Sequence, residues 1–189
     1  MQFPDALNHW LLAGASAATV AFFAAGLTMY FERTPRPLWV LAMHYGSMLL
    51  AVSEVIGVLF LEPRADVWVF TAIVMYIVAL AVFLAAIEAA KRTRLQRSFV
   101  DHPLPDRLIT EGPFKWVRHP FCTGYLLGAL AGPLGIRHPV MFFIAAPLVV
   151  FTLLAAVREE RVWLSGPRAD DYAEYRRRTG MFVPFIGRG

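Results

Sequence analysis

Charged residues and cysteines are both scarce in this sequence. Charged side chains account for 17% of the 189 residues and hydrophobic ones for 58%, whereas a soluble domain usually carries about 25% charged residues. Cys122 is the single cysteine, so an intrachain disulfide is excluded. The five histidines are widely separated along the chain. Because a metal site needs several convergent ligands, we predict no metal site.

The hydrophobic residues are concentrated in long runs with few or no charged residues. A helix needs about 20 apolar residues to cross the bilayer core. Three runs reach that length with at most one charged residue each: 7–31, 38–61 and 67–90. A fourth run, 120–157, is interrupted by Gly132-Pro133 and by Arg137-His138-Pro139, so it predicts a helical hairpin with arms near 120–134 and 139–157. The sequence therefore predicts an all-α polytopic membrane protein with about five transmembrane helices, the last two forming the hairpin.

The basic residues lie almost entirely on one side of this topology. Of the 18 lysine and arginine residues, all but Arg64 and Arg137 fall in the first connection, the third connection and the C-terminal tail. Basic residues mark the cytoplasmic side of a membrane protein, so we predict that the N-terminus is outside and the C-terminus cytoplasmic. The pI of about 9.6 then reflects a face that contacts anionic lipid headgroups, and nucleic acid is not an expected partner.

The chain has no internal repeat and no low-complexity tract, so residues 1–189 are expected to form a single membrane domain. Residues 1–90 supply three spans with little polar chemistry. Residues 91–189 supply a polar connection, the hairpin and an amphipathic cytoplasmic tail. Catalytic chemistry is therefore expected in the second half of the chain.

Glu54 is predicted to lie near the middle of the second span. A carboxyl group at that depth is costly unless it is paired or protonated, so it marks an interior face or a cavity. Two interpretations stay open, namely a protonated glutamate bonded to a neighbouring helix and a contact with substrate. His44 lies in the same run and is expected to make an interhelical hydrogen bond.

The densest polar constellation, residues 110–125, lies where the chain is predicted to return to the membrane. It combines glycine, proline, aromatic residues, two cations and a histidine. Irregular backbone at membrane depth is tolerated where it is buried in protein or lines a cavity, although these residues also suit an ordinary interfacial loop. Arg158-Glu159-Glu160-Arg161 ends the last span on the same side. The two groups are therefore able to enclose one pocket, polar toward the cytosol and apolar toward lipid.

The second half carries a set of short motifs: Gly112-Pro113-Phe114, Arg118-His119-Pro120, Gly124, Glu159-Glu160, Tyr172-x-x-Tyr175 and Phe182-x-Pro184. Over residues 95–186 this set resembles the isoprenylcysteine carboxyl methyltransferase family and the related phospholipid N-methyltransferases. The resemblance implies an integral membrane enzyme that uses S-adenosylmethionine and lacks a soluble Rossmann-type domain. It also implies that the cofactor lies between the motif segment, the hairpin and the tail.

The resemblance further implies particular site residues. The cofactor-binding positions, carried over residue by residue, are Leu108, Ile109, Phe114, His119, Pro120, Phe121, Cys122 and Glu159. His119 would donate to the cofactor, Glu159 would accept from it, and aromatic faces would suit its sulfonium. Two positions depart from the family pattern. Cys122 stands where tyrosine is usual, and Ala155 stands where the eukaryotic enzymes have the arginine that handles the prenylcysteine carboxylate.

We therefore expect S-adenosylmethionine-dependent methyl transfer to a lipophilic small-molecule or lipid acceptor at the cytoplasmic face. Glu159, Arg158 and Glu54 are the predicted catalytic residues, and Glu88 and Glu160 are further candidates for the base that an amine acceptor needs. Prenylcysteine, phospholipid amine, thiol and fatty acid stay open as acceptors, as does the oligomeric state. The alternative functions are a membrane reductase using NADPH, which shares a similar C-terminal pattern, and a non-enzymatic scaffold or transporter subunit.

Overall fold

The computed structural model describes residues 5–29, 38–61, 66–91 and 108–186. The regular structure within these ranges is helical: α1 (Asp5–Met29), α2 (Leu38–Phe60), α3 (Val67–Ala90), a short 3-10 helix (Gly112–Lys115), α4 (Pro120–Ile136), α5 (Pro139–Ser165) and α6 (Ala169–Arg178). The predicted all-α fold is confirmed. Most of the predicted polar connection, residues 92–107, and the side chain of His44 lie outside the described part.

Long apolar helices make up most of the bundle. Three stretches are long and apolar enough to cross a membrane: Ala6–Gly26, Val67–Ala90 and Pro139–Ser165. The Tyr45–Phe60 part of α2 and the whole of α4 are apolar but shorter. Large apolar side chains such as Phe143 are exposed on the bundle surface, as expected of helices that face lipid. The chain is an integral membrane protein, and the number of five crossings stays a prediction.

Helices α4 and α5 form the predicted hairpin. Arg137 adopts a left-handed backbone conformation (φ 55°) at the end of α4, and its N–H donates to the carbonyl of Pro133 at 2.8 Å. His138 then caps α5 by accepting from the N–H of Val140. Pro139 follows in the first turn of α5, where no backbone N–H is needed. The chain therefore reverses direction within two residues.

Helix α5 extends beyond the predicted end of its membrane arm. The arm is predicted to end near residue 157, whereas the helix continues to Ser165. Arg158-Glu159-Glu160-Arg161 therefore lies within a helix, where successive side chains project about 100° apart because a turn contains 3.6 residues. Consequently Glu159 and Glu160 face different neighbours.

Helix α4 packs closely along α3. A Cβ atom at Gly124 would lie only 3.1 Å from the carbonyl oxygen of Ala79, so the missing side chain allows the two backbones to approach. Phe83 of α3 is fully buried, with ring centroids 4.6 Å from Phe23 of α1 and 5.4 Å from Phe121 of α4. These contacts make α1, α3 and α4 one packed unit.

Asp66 joins two connections at one end of the bundle. Its carboxylate accepts from the N–H of Trp68 at 2.9 Å, which caps α3, and it pairs with Arg137 in the hairpin turn. Both side chains are a third exposed, and ion pairs of this kind contribute little to stability. We call this end of the bundle the turn end, and the opposite end, which carries residues 108–119, the motif end.

Candidate functional site

Arg118 is the centre of a buried charged cluster at the motif end. Its side chain is only 2% exposed, and its Nε donates to Oε1 of Glu160 in α5 at 2.7 Å. Its Nη1 donates to the carbonyl oxygen of Arg176 at 3.1 Å and to that of Thr179. A buried guanidinium requires such partners, because an unpaired charge in the protein interior is very costly. Arg118 therefore joins the loop before α4 to α5 and to the end of α6.

His119 is buried beside the same glutamate. Its side chain is 3% exposed, with Nε2 lying 3.2 Å from Oε1 of Glu160 and Nδ1 lying 3.8 Å from Oε2 of Glu159. Because Nε2 faces the carboxylate that accepts from Arg118, Nε2 carries the hydrogen and donates it. Nδ1 lies on the opposite side of the ring, toward Glu159.

The two adjacent glutamates consequently occupy different environments. Glu160 is buried, and Arg118, His119 and Arg176 surround it, the last with its Nε 3.6 Å from Oε2. The side chain of Glu159 is 39% exposed. A carboxylate that accepts from an arginine and a histidine has little capacity for a ligand, so Glu159 is better placed than Glu160 to contact one.

The C-terminal residues 179–186, which we call the C-terminal strap, lie along the loop of residues 108–119, which we call the motif loop. The N–H of Arg118 donates to the carbonyl of Gly180 at 2.8 Å, and the N–H of Gly180 donates to the carbonyl of Trp116 at 3.0 Å. The N–H of His119 donates to the carbonyl of Met181 at 3.2 Å. The strap therefore fixes the backbone on both sides of Arg118.

The strap also reaches α4 and the ring of His119. The hydroxyl of Thr123, in the first turn of α4, donates to the carbonyl of Phe182 at 2.9 Å. The ring of Phe182 lies 6.0 Å from that of His119 between centroids. The strap thus shields the histidine from water on one side.

An aromatic cluster adjoins the charged one. The ring centroids of Trp163 and Tyr172 stack 5.5 Å apart, that of Tyr175 lies 6.0 Å from that of Tyr172, and Leu108 packs against this cluster. The hydroxyl of Tyr175 donates to the carbonyl of Phe114 at 2.7 Å. Burial raises the pKa of both tyrosines, and the nearby Glu160 and Glu159 add to the rise for Tyr172. Both hydroxyl groups therefore stay neutral and able to donate.

The hydroxyl of Tyr172 is the unsatisfied group of this region. It is buried, yet it makes no hydrogen bond with any residue that the structure describes. Buried polar groups normally have a partner, and an exception calls for a ligand or a water molecule. The hydroxyl is therefore a candidate contact for a bound polar molecule.

Most of the predicted cofactor-binding residues meet at the motif end. Phe114 is buried, with its ring centroid 6.2 Å from that of Phe121, and Pro120 is fully buried at the start of α4. Ile109 and Cys122 are half-buried in the motif loop and in α4, respectively. Leu108, His119 and Glu159 lie at the same end of the bundle, with Leu108 against the aromatic cluster and His119 beside Glu159.

The structure does not bring Glu54 to this region. Glu54 hydrogen-bonds with Tyr76 inside the bundle, and a Cβ atom at Gly132 would touch its carboxyl group. Gly132 is 12 residues along α4 from Pro120, which is about 18 Å at 1.5 Å per residue. Glu54 is therefore too far from the predicted catalytic partners Arg158 and Glu159, both half-buried on α5, to act on the same reacting atoms.

Sequence reasoning left Arg118 and Tyr172 out of the site and treated Glu160 only as a possible base. The signal for Arg118 was its position between a buried aromatic loop and a helix start, where an arginine needs a carboxylate partner. The Glu159-Glu160 pair offered two such partners, and the helical rotation between them decides which one turns inward.

Comparison with known proteins identifies the family of the chain. The phospholipid methyltransferase family profile matches residues 67–166, the segment from the start of α3 to the end of α5. The chain belongs to the phospholipid methyltransferase family. The resemblance noted in the sequence is thereby confirmed. No solved structure matches the chain.

The relatives are named for two kinds of methyl acceptor. Methanethiol S-methyltransferase 1 of Bradyrhizobium diazoefficiens is 27% identical over 81 residues, and methanethiol S-methyltransferase of Mycobacterium tuberculosis is 33% identical over 72 residues. These matches cover 43% and 38% of this chain but only 27% and 28% of the relatives. Protein-S-isoprenylcysteine O-methyltransferase A of Arabidopsis thaliana is 26% identical over 152 residues, 78% of this chain and 77% of the relative.

The matching family and all three relatives are named for methyl transfer. The chain spans only about a quarter of the length of the two methanethiol enzymes.

Proposed function

We propose that this protein transfers the methyl group of S-adenosylmethionine to a lipophilic acceptor at the cytoplasmic face of the membrane. The observation that carries the proposal is the buried Arg118–Glu160–His119 cluster, with the more exposed Glu159 beside it. The motif residues of the family build this cluster at one end of an apolar bundle. The cytoplasmic assignment of that end follows from the distribution of lysine and arginine in the sequence.

The residues at the motif end suit S-adenosylmethionine, which supplies a methyl group activated on a sulfonium. The unsatisfied hydroxyl of Tyr172 would donate to a polar group of the cofactor. Oε2 of Glu159 lies 3.8 Å from Nδ1 of His119, so a cofactor ammonium or hydroxyl group would donate to Glu159 beside the histidine ring. The apolar side chains of Leu108 and Phe114 would contact the adenine.

The chain's own contribution is alignment and the exclusion of water. Methyl transfer by direct displacement needs the acceptor in line with the methyl group, and holding two reactants in that geometry removes much of the entropic barrier. The C-terminal strap and Arg118 fix the motif loop against α5, so the groups that bind the cofactor are held before it arrives. An apolar acceptor would reach them through the lipid-facing side of the bundle.

A neutral thiol or amine acceptor is favoured over a prenylcysteine carboxylate. Ala155, half-buried on α5, offers no charge to a carboxylate, and a desolvated carboxylate needs a cation. Arg158 lies one turn further along and on a rotated face. Two relatives are named for a thiol substrate, while the relative that covers most of the chain is named for isoprenylcysteine. These names do not decide between the two, so the acceptor assignment rests on Ala155.

The test uses the full chain purified in detergent or nanodiscs. Calorimetry with S-adenosylhomocysteine should show binding, while NADPH should not bind. Labelled S-adenosylmethionine is then offered with a hydrophobic thiol, a phospholipid amine and a farnesylated cysteine analogue. NADPH binding alone would favour a reductase, and binding of neither compound would favour a scaffold. Efficient turnover of the farnesyl compound that is lost in Arg158→Ala would reverse the acceptor assignment.

A further inference from the structure

Four helices meet at a polar cluster inside the bundle, away from the site described above. Ser16 of α1, Glu54 of α2 and Tyr76 of α3 are almost fully buried, with Glu54 only 3% exposed. The hydroxyl of Tyr76 donates to Oε1 of Glu54 at 3.1 Å. The fourth member is the backbone of α4 at Gly132. We call Ser16, Glu54, Tyr76 and Gly132 the core polar cluster.

Gly132 brings the backbone of α4 into contact with the other members. A Cβ atom placed there would lie 2.6 Å from Oε1 of Glu54 and 3.0 Å from the hydroxyl oxygen of Tyr76. Real Cβ atoms do not approach oxygen so closely, so the absent side chain is what allows the contact. Pro133 follows at once, and because it has no N–H, the carbonyl of Ala129 lacks its usual helical donor. The cluster therefore contacts α4 where the helix's own hydrogen bonding is interrupted.

The surroundings of Glu54 favour a neutral carboxylic acid. The hydroxyl of Tyr76 donates to Glu54, and the backbone of Gly132 lies against its carboxyl group. Among the described residues, Glu54 makes no ion pair with a lysine, arginine or histidine. An unpaired carboxylate in an apolar interior is very costly, and a group in that position binds a proton instead. A neutral acid both donates and accepts, which matches a cluster made otherwise of hydroxyl groups and backbone.

The hydroxyl of Ser16 supports the same conclusion from another helix. It is fully buried and has no hydrogen-bond partner among the described residues, although it lies close to the Tyr76 hydroxyl. The cluster therefore has hydrogen-bonding capacity to spare on α1. Ser16 therefore adds a neutral hydroxyl group, and no cation, to the cluster.

We propose that Glu54 is held as a neutral carboxylic acid and, with Tyr76 and Gly132, ties α4 to α2 and α3, acting as a positioning residue rather than a catalytic one. The tie acts at the far end of the helix that begins directly after His119. Displacement of α4 along its axis would move Pro120 and the motif loop that precedes it. The effect on the site rests on the proposed function, but the effect on the bundle does not.

The first experiment compares Glu54→Gln with Glu54→Ala by thermal unfolding in detergent. Glutamine keeps the shape and the neutral donor and acceptor, so the melting temperature should stay close to that of the unmodified protein. Alanine removes a buried hydrogen-bonded group and leaves the Tyr76 hydroxyl unsatisfied, so the melting temperature should fall by about 4–10 °C. The matched control is Glu88→Ala. Because the side chain of Glu88 is 70% exposed beside Lys91, this variant should change the melting temperature little.

The second experiment leaves both polar side chains in place. Gly132→Ala introduces the Cβ atom that would displace the carboxyl group from Tyr76, so the melting temperature should fall, though by less than in Glu54→Ala. Gly14→Ala is the matched control, since nothing lies within 4 Å of a Cβ atom at that position of α1. Infrared difference spectra should in addition show a protonated carboxylic acid carbonyl that disappears in Glu54→Gln.

The third measurement separates positioning from catalysis. Glu54→Gln should keep both the affinity for S-adenosylhomocysteine and kcat, whereas Glu54→Ala should lower both together. A Glu54→Gln variant with normal stability and affinity but a kcat lower by about 100-fold or more would make Glu54 a proton-transfer group and overturn the proposal. Equal destabilisation by Glu54→Gln and Glu54→Ala would show that the charge of Glu54 is needed. Normal stability of Glu54→Ala would show that Glu54 does not hold α4 against α2 and α3. If no acceptor is methylated, the unfolding and infrared results still decide the proposal.

Discussion

The motif end and the interior of the bundle each contain a buried glutamate, but the two carboxyl groups are stabilised in different ways. Glu160 accepts from Arg118 and from His119, whereas the partner of Glu54 is the hydroxyl of Tyr76. An ion pair can be sustained where α5 leaves the apolar region, while a neutral group suits the interior. Depth in the bundle, more than residue type, therefore decides which glutamates can be charged and can help to bind a charged cofactor.

The largest effect is expected from Arg118→Ala, which removes the cation from the charged cluster. Glu160 would then be left buried without its main partner, and the carbonyls of Arg176 and Thr179 would lose their donor. Breaking a buried ion pair in this way costs about 3–5 kcal/mol. Thermal or chaotrope unfolding in detergent measures it, and limited proteolysis should show that the C-terminal strap has become accessible.

The control for this prediction is a double-mutant cycle. The Arg118→Ala, Glu160→Ala double variant should be less destabilised than the sum of the single variants, because neither charge is then left alone. Additive losses would mean that the two residues stabilise the fold independently. The contrast with the neutral Glu54 cluster would then no longer hold.

The next largest effect concerns ligand binding rather than folding. His119→Ala and Glu159→Ala should each weaken binding of S-adenosylhomocysteine by roughly tenfold or more, since a hydrogen bond to a charged group is worth about 1.5–3 kcal/mol. Glu159→Ala should leave the melting temperature almost unchanged, because that side chain is partly exposed. Calorimetry checks the affinity, with the exposed Glu174→Ala in α6 as a control. Unchanged affinity in both site variants would remove the two residues from the cofactor site.

At Tyr172 we expect a smaller loss of ligand affinity and no loss of stability. Tyr172→Phe removes a buried hydroxyl that has no partner among the described residues, so stability should be unchanged or slightly higher. Affinity for S-adenosylhomocysteine should fall by about 3–10-fold, the effect of one neutral hydrogen bond. Tyr175→Phe is the matched control, because it loses the bond to the carbonyl of Phe114 and should lower stability. A stability loss in Tyr172→Phe would show that the hydroxyl has a structural partner instead.

The all-α membrane fold and the proximity of the two motif segments could both be predicted from the sequence. Uncharged runs of 20 or more residues leave few alternatives to a helix in lipid, and Gly132-Pro133 with Arg137-His138-Pro139 marks the hairpin turn. The motifs around His119 and Glu159 were predicted to lie on one side of the membrane, and the structure brings the two segments together at the motif end.

The pairing inside the site could not be predicted. Glu159 and Glu160 are adjacent and chemically identical, and which one faces Arg118 depends on the rotation of α5 against the motif loop. Because α5 continues to Ser165, the two glutamates follow its helical rotation. The apolar run in the sequence ends near residue 157 and does not show that the helix continues. Glu54 was grouped with the catalytic residues as a possible base. Its contact with Tyr76 of α3 depends on packing between helices, which no spacing in the sequence reveals.

The smallest effect is expected for a third carboxyl group, at the turn end. Asp66 both caps α3 and pairs with Arg137, with its side chain a third exposed. Asp66→Asn keeps an oxygen that can cap the helix but removes the charge, so the loss should be no more than about 1 kcal/mol. Asp66→Ala also loses the cap and should cost about 1 kcal/mol more. Unfolding measured at low and high salt separates the two terms, because salt screens the exposed ion pair but not the cap. If Asp66→Asn were as damaging as Arg118→Ala, charge pairing would matter equally at both ends of the bundle, and depth would not explain the difference between Glu160 and Glu54.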